Sequence, residues 1–350
     1  MQNRVKNSTL LAISVAAALS TVGFTANVQA QEKGVLNLYS SRHYQTDEAL
    51  YSNFEKQTGI KINRVEGPED PLIERIKNEG DKTQADVLVT VDIGRIWRAE
   101  QMGLFAPVKS QILTERIPAE LRSPDNLWFG FSTRARVILA SKAEFKADEI
   151  KNYEDLTNPK YKGKVCTRSG GHVYSLSLLS SIIAASGPAA AEDWAKGVVA
   201  NFARAPKGGD TDQIKAVASG ECKIALANTY YFLRLLKSEK PEERAMAEKM
   251  HIIFPNQAGR GAHVNISGAG MLKYAKNKEA AVKFLEYLSS ESAQEYFANG
   301  NNEFPAVNLK MRGNPQLAAM ANFKRDSVNV GLIGKNTPAA QQIYDRAGYK

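Results

Sequence analysis

Four tyrosines and one histidine lie at three matching points of the sequence, each after a stretch that predicts a β-strand. His43 and Tyr44 follow "GVLNLYSS", Tyr174 follows "GKVCTRSGG", and the adjacent Tyr230 and Tyr231 follow "CKIALAN". Neighbouring side chains on a strand point to opposite faces, and on a helix they diverge by about a hundred degrees, so one core has little use for both rings of the pair. Loops at strand ends carry function more often than packing. The set therefore predicts a binding site.

Phenols and one imidazole suit a hard, highly charged metal ion. A phenol ionises near pH 10 in water, and a nearby metal lowers that pKa because metal binding and ligand deprotonation are linked. Zinc and copper sites would use more His or Cys, whereas calcium and magnesium sites would use carboxylates and carbonyls. The set therefore favours Fe(III). Four phenolates on a 3+ ion leave a net charge of −1, which arginines in or near these segments could offset: Arg42, Arg168, Arg204 and Arg234.

Each of these residues also has an ordinary structural interpretation. A single tyrosine at a loop edge usually packs through its amphipathic ring, and this alternative stands for Tyr44 or Tyr174 taken alone. His43 alone could cap a helix that begins near Thr46, and the tyrosine pair could stack on a sugar or an aromatic ligand. The occurrence of the whole set in three loops of matching topology favours a metal site. Four tyrosines lack this setting and are interpreted as packing residues: Tyr39, Tyr51, Tyr153 and Tyr161.

Signatures of common enzyme classes are absent from the sequence. It has no GxSxG elbow, no HExxH, no Walker A loop and no GxGxxG. No pair of its 4 histidines has the spacing of a zinc site. We therefore expect a binding protein that catalyses no reaction.

The N-terminus predicts export of this 350-residue chain. A basic start, an apolar run from Leu10 to Val22 and a small-x-Ala site at Ala30 are typical of a secretory signal peptide, here residues 1–30. The alternative is a membrane anchor, for which the run is too short. No later stretch is expected to span a membrane, so we expect a periplasmic protein. The net charge of +9 comes without a dense basic run interleaved with aromatics, which argues against a nucleic-acid partner.

The 2 cysteines, Cys166 and Cys222, are expected to form a disulfide, because the chain is exported and their number is even. Two buried free thiols are the alternative. Cys166 precedes Tyr174 by the same number of residues that separates Cys222 from Tyr230. The bond would hold the phenols of Tyr174, Tyr230 and Tyr231 in one rigid half-site.

Strands alternate with helices along the chain, which predicts an α/β fold with parallel strands. The extended segment "WFGFSTRARVILASK" reads as two strands with a bend near Ser132 and Thr133, crossing into a second lobe. We expect an N-lobe of residues 31–132 plus about 264–315, and a C-lobe of 133–263 plus about 316–350. Ligands bind beyond the carboxyl ends of the strands in such sheets, here in a cleft between the lobes.

Three segments carry a resemblance to a known family: "LYSSRHYQTDEALYSNFEKQTGIKI", "GGDTDQIKAVASGECKIALANTYY" and the close "NISGAGML…AVKFLEYLSSESAQEYFA". The chain resembles the periplasmic ferric-iron-binding proteins of ABC transporters, type II periplasmic binding proteins with transferrin-like lobes. The resemblance implies that Tyr174, Tyr230 and Tyr231 bind the metal, with His43 and Tyr44 completing the subgroup that needs no extra anion. It also implies hinge closure over the ion and delivery to an inner-membrane ABC permease; we expect a monomer.

One segment departs from the family pattern. Family members often carry Ser-Asn-Asn before the third tyrosine, where this chain has Gly170, Gly171 and His172. We expect His172 to be exposed. The same fold could instead bind another small ligand, such as a polyamine or an organic anion, and this alternative would need carboxylates or aromatics converging in the cleft.

Overall fold

A computed structural model describes residues 34–42, 44–307 and 313–350. The predicted signal peptide and His43 lie outside the described residues. Within them, the strands are β1 (Val35–Ser40), β2 (Lys61–Glu66), β3 (Val87–Thr90), β4 (Phe129–Ser141), β5 (Val165–Cys166), β6 (Ile224–Asn228), β7 (Met250–Ile253), β8 (Val264–Met271) and β9 (Phe304–Pro305). The helices are α1 (Asp47–Thr58), α2 (Glu69–Glu79), α3 (Ile93–Gln101), α4 (Gln111–Arg116), α5 (Val173–Ala200), α6 (Asp210–Ser219), α7 (Thr229–Leu236), α8 (Pro241–Glu248), α9 (Lys278–Leu288), α10 (Glu291–Asn301), α11 (Pro315–Met320) and α12 (Val330–Ala347).

The described strands form one sheet in the order β2-β1-β3-β8-β4-β6-β5, with β7 and β9 also paired to β4. Strand β1 is parallel to β2 and β3, and β5 is parallel to β6, as the alternation of strands and helices predicts. Strand β8 is antiparallel to both β3 and β4, and β4 is antiparallel to β6. The α/β class is therefore confirmed. The expectation of parallel strands holds only for β2-β1-β3 at one end of the sheet and for β6-β5 at the other end.

Strand β4 connects the two sides of this sheet. Its first half pairs with β8 from Phe129 to Ala135, and its second half pairs with β6 from Arg136 onward. The register against β8 shifts between Gly130 and Ser132, close to the predicted bend. A β-bulge bends a strand without ending it, so the two predicted segments are one continuous strand of 13 residues.

Buried apolar side chains form separate clusters on the two sides of the β8–β4 pair. One cluster contains Leu38 of β1, Phe54 of α1 and Phe284 of α9. Another lies against the second half of β4 and contains Leu179 and Trp194 of α5. Each cluster is a hydrophobic core of its own, and β4 contributes residues to both.

Helix α5 is long and apolar enough to cross a membrane by length and composition alone, with a mean hydropathy of 1.4, which the sequence-based expectation missed. Gly187 has a positive φ of 82° and non-helical geometry, and Pro188 follows it, so the segment consists of two helices joined at a kink. Leu179 and Trp194 lie in the core on either side of this kink. We interpret α5 as a core element of the fold.

Candidate metal centre

The site tyrosines lie beyond the carboxyl ends of three strands. Tyr44 is in the segment between β1 and α1, Tyr174 is in the first turn of α5 after β5, and Tyr230 and Tyr231 are in the first turn of α7 after β6. The predicted position after a strand is therefore right for all four. Three of the four belong to helix N-terminal turns rather than to loops. Helix N-termini carry partial positive charge, which favours anionic groups nearby.

The structure places three of the four phenols around one cleft and the fourth, that of Tyr230, in hydrogen-bond contact with one of them. The Oη atoms of Tyr174 and Tyr230 are hydrogen-bonded at 3.0 Å. The rings of Tyr230 and Tyr231 pack with their centroids 4.3 Å apart. Tyr44, Tyr174 and Tyr231 line a cleft of about 470 Å³, together with Arg234. Of the two adjacent tyrosines, Tyr230 is therefore buried and Tyr231 lines the cleft.

Burial controls the protonation of these phenols. Tyr174 and Tyr230 are buried, and the loss of hydration raises the pKa of each well above its ordinary value. The other phenols raise these two pKa values further, whereas the Arg134 guanidinium lowers them. Burial also raises the pKa of Tyr44, and Glu303 adds to the effect. Without a cation these three phenols are therefore neutral at physiological pH.

Two buried arginines form an ion-pair network behind the phenols. Arg42 donates to Glu303 at 3.1 Å and makes two 3.0 Å hydrogen bonds to Asp47. Arg134 donates to Glu303 at 2.5 Å. The Arg42 guanidinium lies 5.0 Å from the ring centroid of Tyr44, and that of Arg134 lies 5.9 Å from the ring of Tyr230. Sequence reasoning identified Arg42 but missed Arg134 and Glu303, which no local motif marks.

Two further arginines stack directly on site tyrosines. The Cζ atom of Arg168 is 5.0 Å from the ring centroid of Tyr174. Arg234 lies 5.5 Å from the ring of Tyr231 and 6.0 Å from that of Tyr230. These positions support the expectation that Arg42, Arg168 and Arg234 could offset negative charge.

Arg204 lies in a different environment. Its Nε atom is 2.9 Å from Glu221, and Nη2 donates to Gln213 at 3.1 Å. The expectation that Arg204 serves the phenols therefore finds no support, and we assign it no part in the site.

His172 is partly buried, so the expectation that it is exposed is wrong. Its Nδ1 accepts a hydrogen bond from the Tyr174 backbone N–H at 3.1 Å, which caps helix α5. Burial, assisted by Arg168, lowers the pKa of His172 to about 3, so the ring is neutral. Because Nδ1 accepts this hydrogen bond, the ring proton belongs on Nε2. His172 supplies here the cap that Ser, Thr, Asp or Asn usually supplies.

His, Cys, Asp and Glu are the side chains that most often bind zinc or calcium. No group of three or more His, Cys, Asp or Glu side chains in those ranges could hold a metal ion. The nearby carboxylates of Asp47 and Glu303 are engaged by arginines. Among the residues that line the 470 Å³ cleft, the ionisable oxygen donors are the phenols of Tyr44, Tyr174 and Tyr231, beside the neutral side chains of Gln45, Thr46 and Asn301.

Comparisons with known proteins identify the class. The family model described as "Bacterial extracellular solute-binding protein" matches residues 82–326, and the chain belongs to this family of binding proteins. Within it, the chain belongs to the ferric-iron-binding periplasmic proteins. It is 50% identical to Iron uptake protein A1 of Synechocystis sp., covering 91% of this chain and 88% of that protein. It is 25% identical to the Fe(3+)-binding periplasmic protein of Serratia marcescens, covering 99% of both.

A solved structure agrees with this assignment. The Trichodesmium protein in complex with iron and citrate ligands superposes with a TM-score of 0.87 at 53% identity, covering 91% of this chain and 100% of that one. The fold is therefore that of a periplasmic binding protein, as the resemblance implied. The family is non-enzymatic, which confirms the expectation that the chain is not an enzyme.

Proposed function

We propose that this protein is a periplasmic Fe(III)-binding protein of iron uptake, which captures the ion with tyrosinate ligands and delivers it to an ABC permease. The proposed ligands are Tyr44, Tyr174, Tyr230 and Tyr231, with His43 as the fifth. The observation that carries the proposal is the clustering of four phenols, three of which line one cleft while that of Tyr230 is hydrogen-bonded to Tyr174. Relatives named for Fe(3+) binding and for iron uptake support the choice of metal.

The raised pKa values of the phenols favour a highly charged cation. A metal must displace the phenol protons to bind, and burial makes those protons harder to remove. A divalent ion such as Ca²⁺ attracts the phenolate oxygen less strongly and prefers carboxylates and carbonyls. Fe(III) has the charge and hardness to compete. The buried phenols thus select for the trivalent ion.

The arginines around the cleft fit the charge of the loaded site. Four phenolates on Fe(III) carry a net charge of −1, which a buried environment disfavours unless a cation is nearby. Arg42 and Arg134 contact Asp47 and Glu303, respectively, so these pairs are neutral. Arg168 shares the Asp210 carboxylate with a second arginine, which leaves excess positive charge beside the phenols. The surroundings therefore suit a negatively charged complex.

The remaining parts of the proposal concern the whole chain. We propose cleavage after Ala30, export to the periplasm and a monomeric state. The lobes are residues 31–132 plus about 264–315 and residues 133–263 plus about 316–350. Closure of the lobes would bring His43 and Tyr44 to the other three ligands. The separate hydrophobic cores support this division except at helix α12, which contributes residues to both cores.

Iron loading and one pair of variants test the ligand assignment. Purified protein given Fe(III) should develop a tyrosinate-to-iron charge-transfer colour, with one iron per chain by elemental analysis. In Y230F/Y231F the colour should be lost and the affinity should fall at least a thousandfold, since about 4 kcal/mol of metal–ligand free energy is removed. The matched control is Y274F/Y296F, because Tyr274 is exposed and Tyr296 packs against the first core.

The outcomes separate the candidate functions. Colour and iron in the wild type and the control, but not in Y230F/Y231F, support the proposal. Unchanged affinity in Y230F/Y231F would show that the ligand assignment is wrong. If the wild-type protein does not bind Fe(III) but binds a polyamine or an organic anion, the alternative ligand class is supported.

A further inference from the structure

Asp210, the first residue of α6, is completely buried and receives hydrogen bonds from three separate parts of the chain. Its Oδ2 accepts from Arg136 Nη1 at 2.6 Å and from the Asn228 backbone N–H at 2.8 Å. Its Oδ1 accepts from Arg168 Nη1 at 3.2 Å. A buried carboxylate between two guanidiniums is strongly held, because each unpaired charge would cost several kcal/mol.

Two of these donors belong to the segments that carry the tyrosines. Asn228 ends β6 and immediately precedes the turn that contains Tyr230. Arg168 lies between β5 and α5, and its guanidinium lies 5.0 Å from the ring centroid of Tyr174. Asp210 therefore connects the segments that precede Tyr174 and Tyr230, and it reaches Tyr174 through Arg168.

A guanidinium fixed against Tyr174 has a defined effect on a loaded site. The cation attracts the electron-rich phenolate and offsets part of the net negative charge of the iron complex. A long arginine side chain has considerable rotamer freedom, so it keeps this position only where hydrogen bonds hold it. Asp210 supplies the hydrogen bond and the opposite charge that do so.

We propose that Asp210 is a positioning residue of the iron site, which holds Arg168 against the ring of Tyr174, where the guanidinium offsets part of the negative charge of the iron complex. This inference rests on the proposed function. Asp210 itself touches no ligand atom and acts through Arg168.

The Asp210→Asn variant isolates this contact. An asparagine with its oxygen in the Oδ2 position still accepts from Arg136 and Asn228. Its NH₂ group then faces Arg168, and two donors cannot form a hydrogen bond. The substitution therefore releases Arg168 and retains the other two contacts. Arg168→Met removes the same cation directly.

We expect D210N and R168M to change the iron complex in the same way. Loss of the cation raises the energy of the phenolate donor orbital, so the charge-transfer absorption maximum should move to longer wavelength. Iron transfer to excess EDTA should accelerate by on the order of tenfold, the size expected for one desolvated cation–ring contact. The double variant should resemble either single variant, because both remove one interaction.

Asp86→Asn is the matched control. Asp86 is also fully buried, but it accepts hydrogen bonds from the backbone N–H groups of Asn37, Lys276 and Asn277 at 2.8–2.9 Å. It lies just before β3, at the amino end of a strand and not at the carboxyl ends that carry the tyrosines. D86N should lower the free energy of unfolding without moving the absorption maximum or the EDTA transfer rate.

The outcomes distinguish this inference from the proposed function. A wild type without iron colour would overturn both. A coloured wild type with D210N at the wild-type wavelength and rate would overturn the positioning role alone. If D210N does not fold, R168M decides: a wild-type spectrum in R168M would also overturn the role. Additive effects in the double variant would show that Asp210 does not act through Arg168.

Discussion

Two phenol oxygens 3.0 Å apart, those of Tyr174 and Tyr230, define the chemistry at the level of single residues. Both rings are buried, and burial is the main reason that their pKa values are raised. A shared hydrogen bond between neutral phenols satisfies the pair when no metal is bound. The same two oxygens are close enough for one cation to contact both, as the proposed ligation requires.

Proton release on iron binding is the first prediction from these pKa values. Tyr44, Tyr174 and Tyr230 are protonated at neutral pH because burial raises each pKa above 10.0. Each phenol that binds iron must lose its proton, so about one proton per phenol should appear in an unbuffered pH-stat measurement. Affinity should therefore rise with pH across the neutral range and fall on acidification. Proton release clearly below three per iron would contradict ligation by all three buried phenols.

The sequence predicts the tyrosines of this site well and the ions around it poorly. Tyr230 and Tyr231 stand out because adjacent rings after a strand have no shared core to fill. Glu303 is paired with Arg134 across 169 residues, and Asp210 with Arg136 across 74, so neither pair leaves a local pattern. His172 was misjudged because a histidine cap depends on backbone geometry, which Gly170 and Gly171 do not reveal.

At the scale of secondary structure, local pattern predicted the elements but not their pairing. The break within α5 is visible in the sequence because Gly187 and Pro188 interrupt a helical pattern. The antiparallel direction of β8 is not, because it depends on contacts between residues more than a hundred positions apart. Strand β4 was read as two segments for the same reason: only its partners reveal that it is continuous.

The disulfide gives the prediction that belongs to this scale. Cys166 at the end of β5 and Cys222 just before β6 are bonded, with Cα atoms 5.9 Å apart and a separation of 56 residues. Closing a loop of that length stabilises the fold by about 4 kcal/mol in the chain-entropy model. The C166A/C222A variant should lose roughly this much in urea unfolding, and its iron should transfer to EDTA faster because the segments before Tyr174 and Tyr230 are no longer joined.

Reductant provides the control for this variant. Wild type unfolded and refolded with dithiothreitol should match C166A/C222A, whereas the variant itself should not respond. If C166A/C222A has the same free energy of unfolding as the oxidised wild type, the disulfide contributes little to stability. If the variant is less stable but transfers iron to EDTA at the wild-type rate, the disulfide stabilises the fold without holding the tyrosine segments in place.

Over the whole molecule, helix α12 packs on both hydrophobic cores. Val330 and Ile333 in its first half belong to the core of β1 and α9, whereas Ile343 and Tyr344 in its second half belong to the core of α5. Pro338 lies between the two halves and cannot donate a backbone hydrogen bond within the helix. The last helix therefore connects the two proposed lobes, although the sequence assigned it to one of them.

Gly334 determines how closely α12 approaches the first core. A Cβ atom at this position would lie 2.4 Å from Trp97 Cβ and 3.2 Å from the Ile93 carbonyl oxygen. Both neighbours belong to α3, so Gly334→Ala should push α12 away from that helix at a cost of about 1–3 kcal/mol. Gly259→Ala is the control, because the nearest atom would be 3.8 Å from its Cβ.

If α12 limits the separation of the lobes, G334A should also release iron several-fold faster than G259A, although it changes no ligand. Small-angle scattering of the iron-free variant should then give a larger radius of gyration than that of the wild type, since the lobes separate further. If G334A is less stable but has the iron release rate and the radius of gyration of the wild type, the α12–α3 contact contributes to folding alone. Faster iron release together with a larger radius of gyration would make α12 a third connection between the lobes, beside β4 and β8. The loosened α12–α3 contact involves no phenol, so its effect on iron release would have to act through the separation of the lobes.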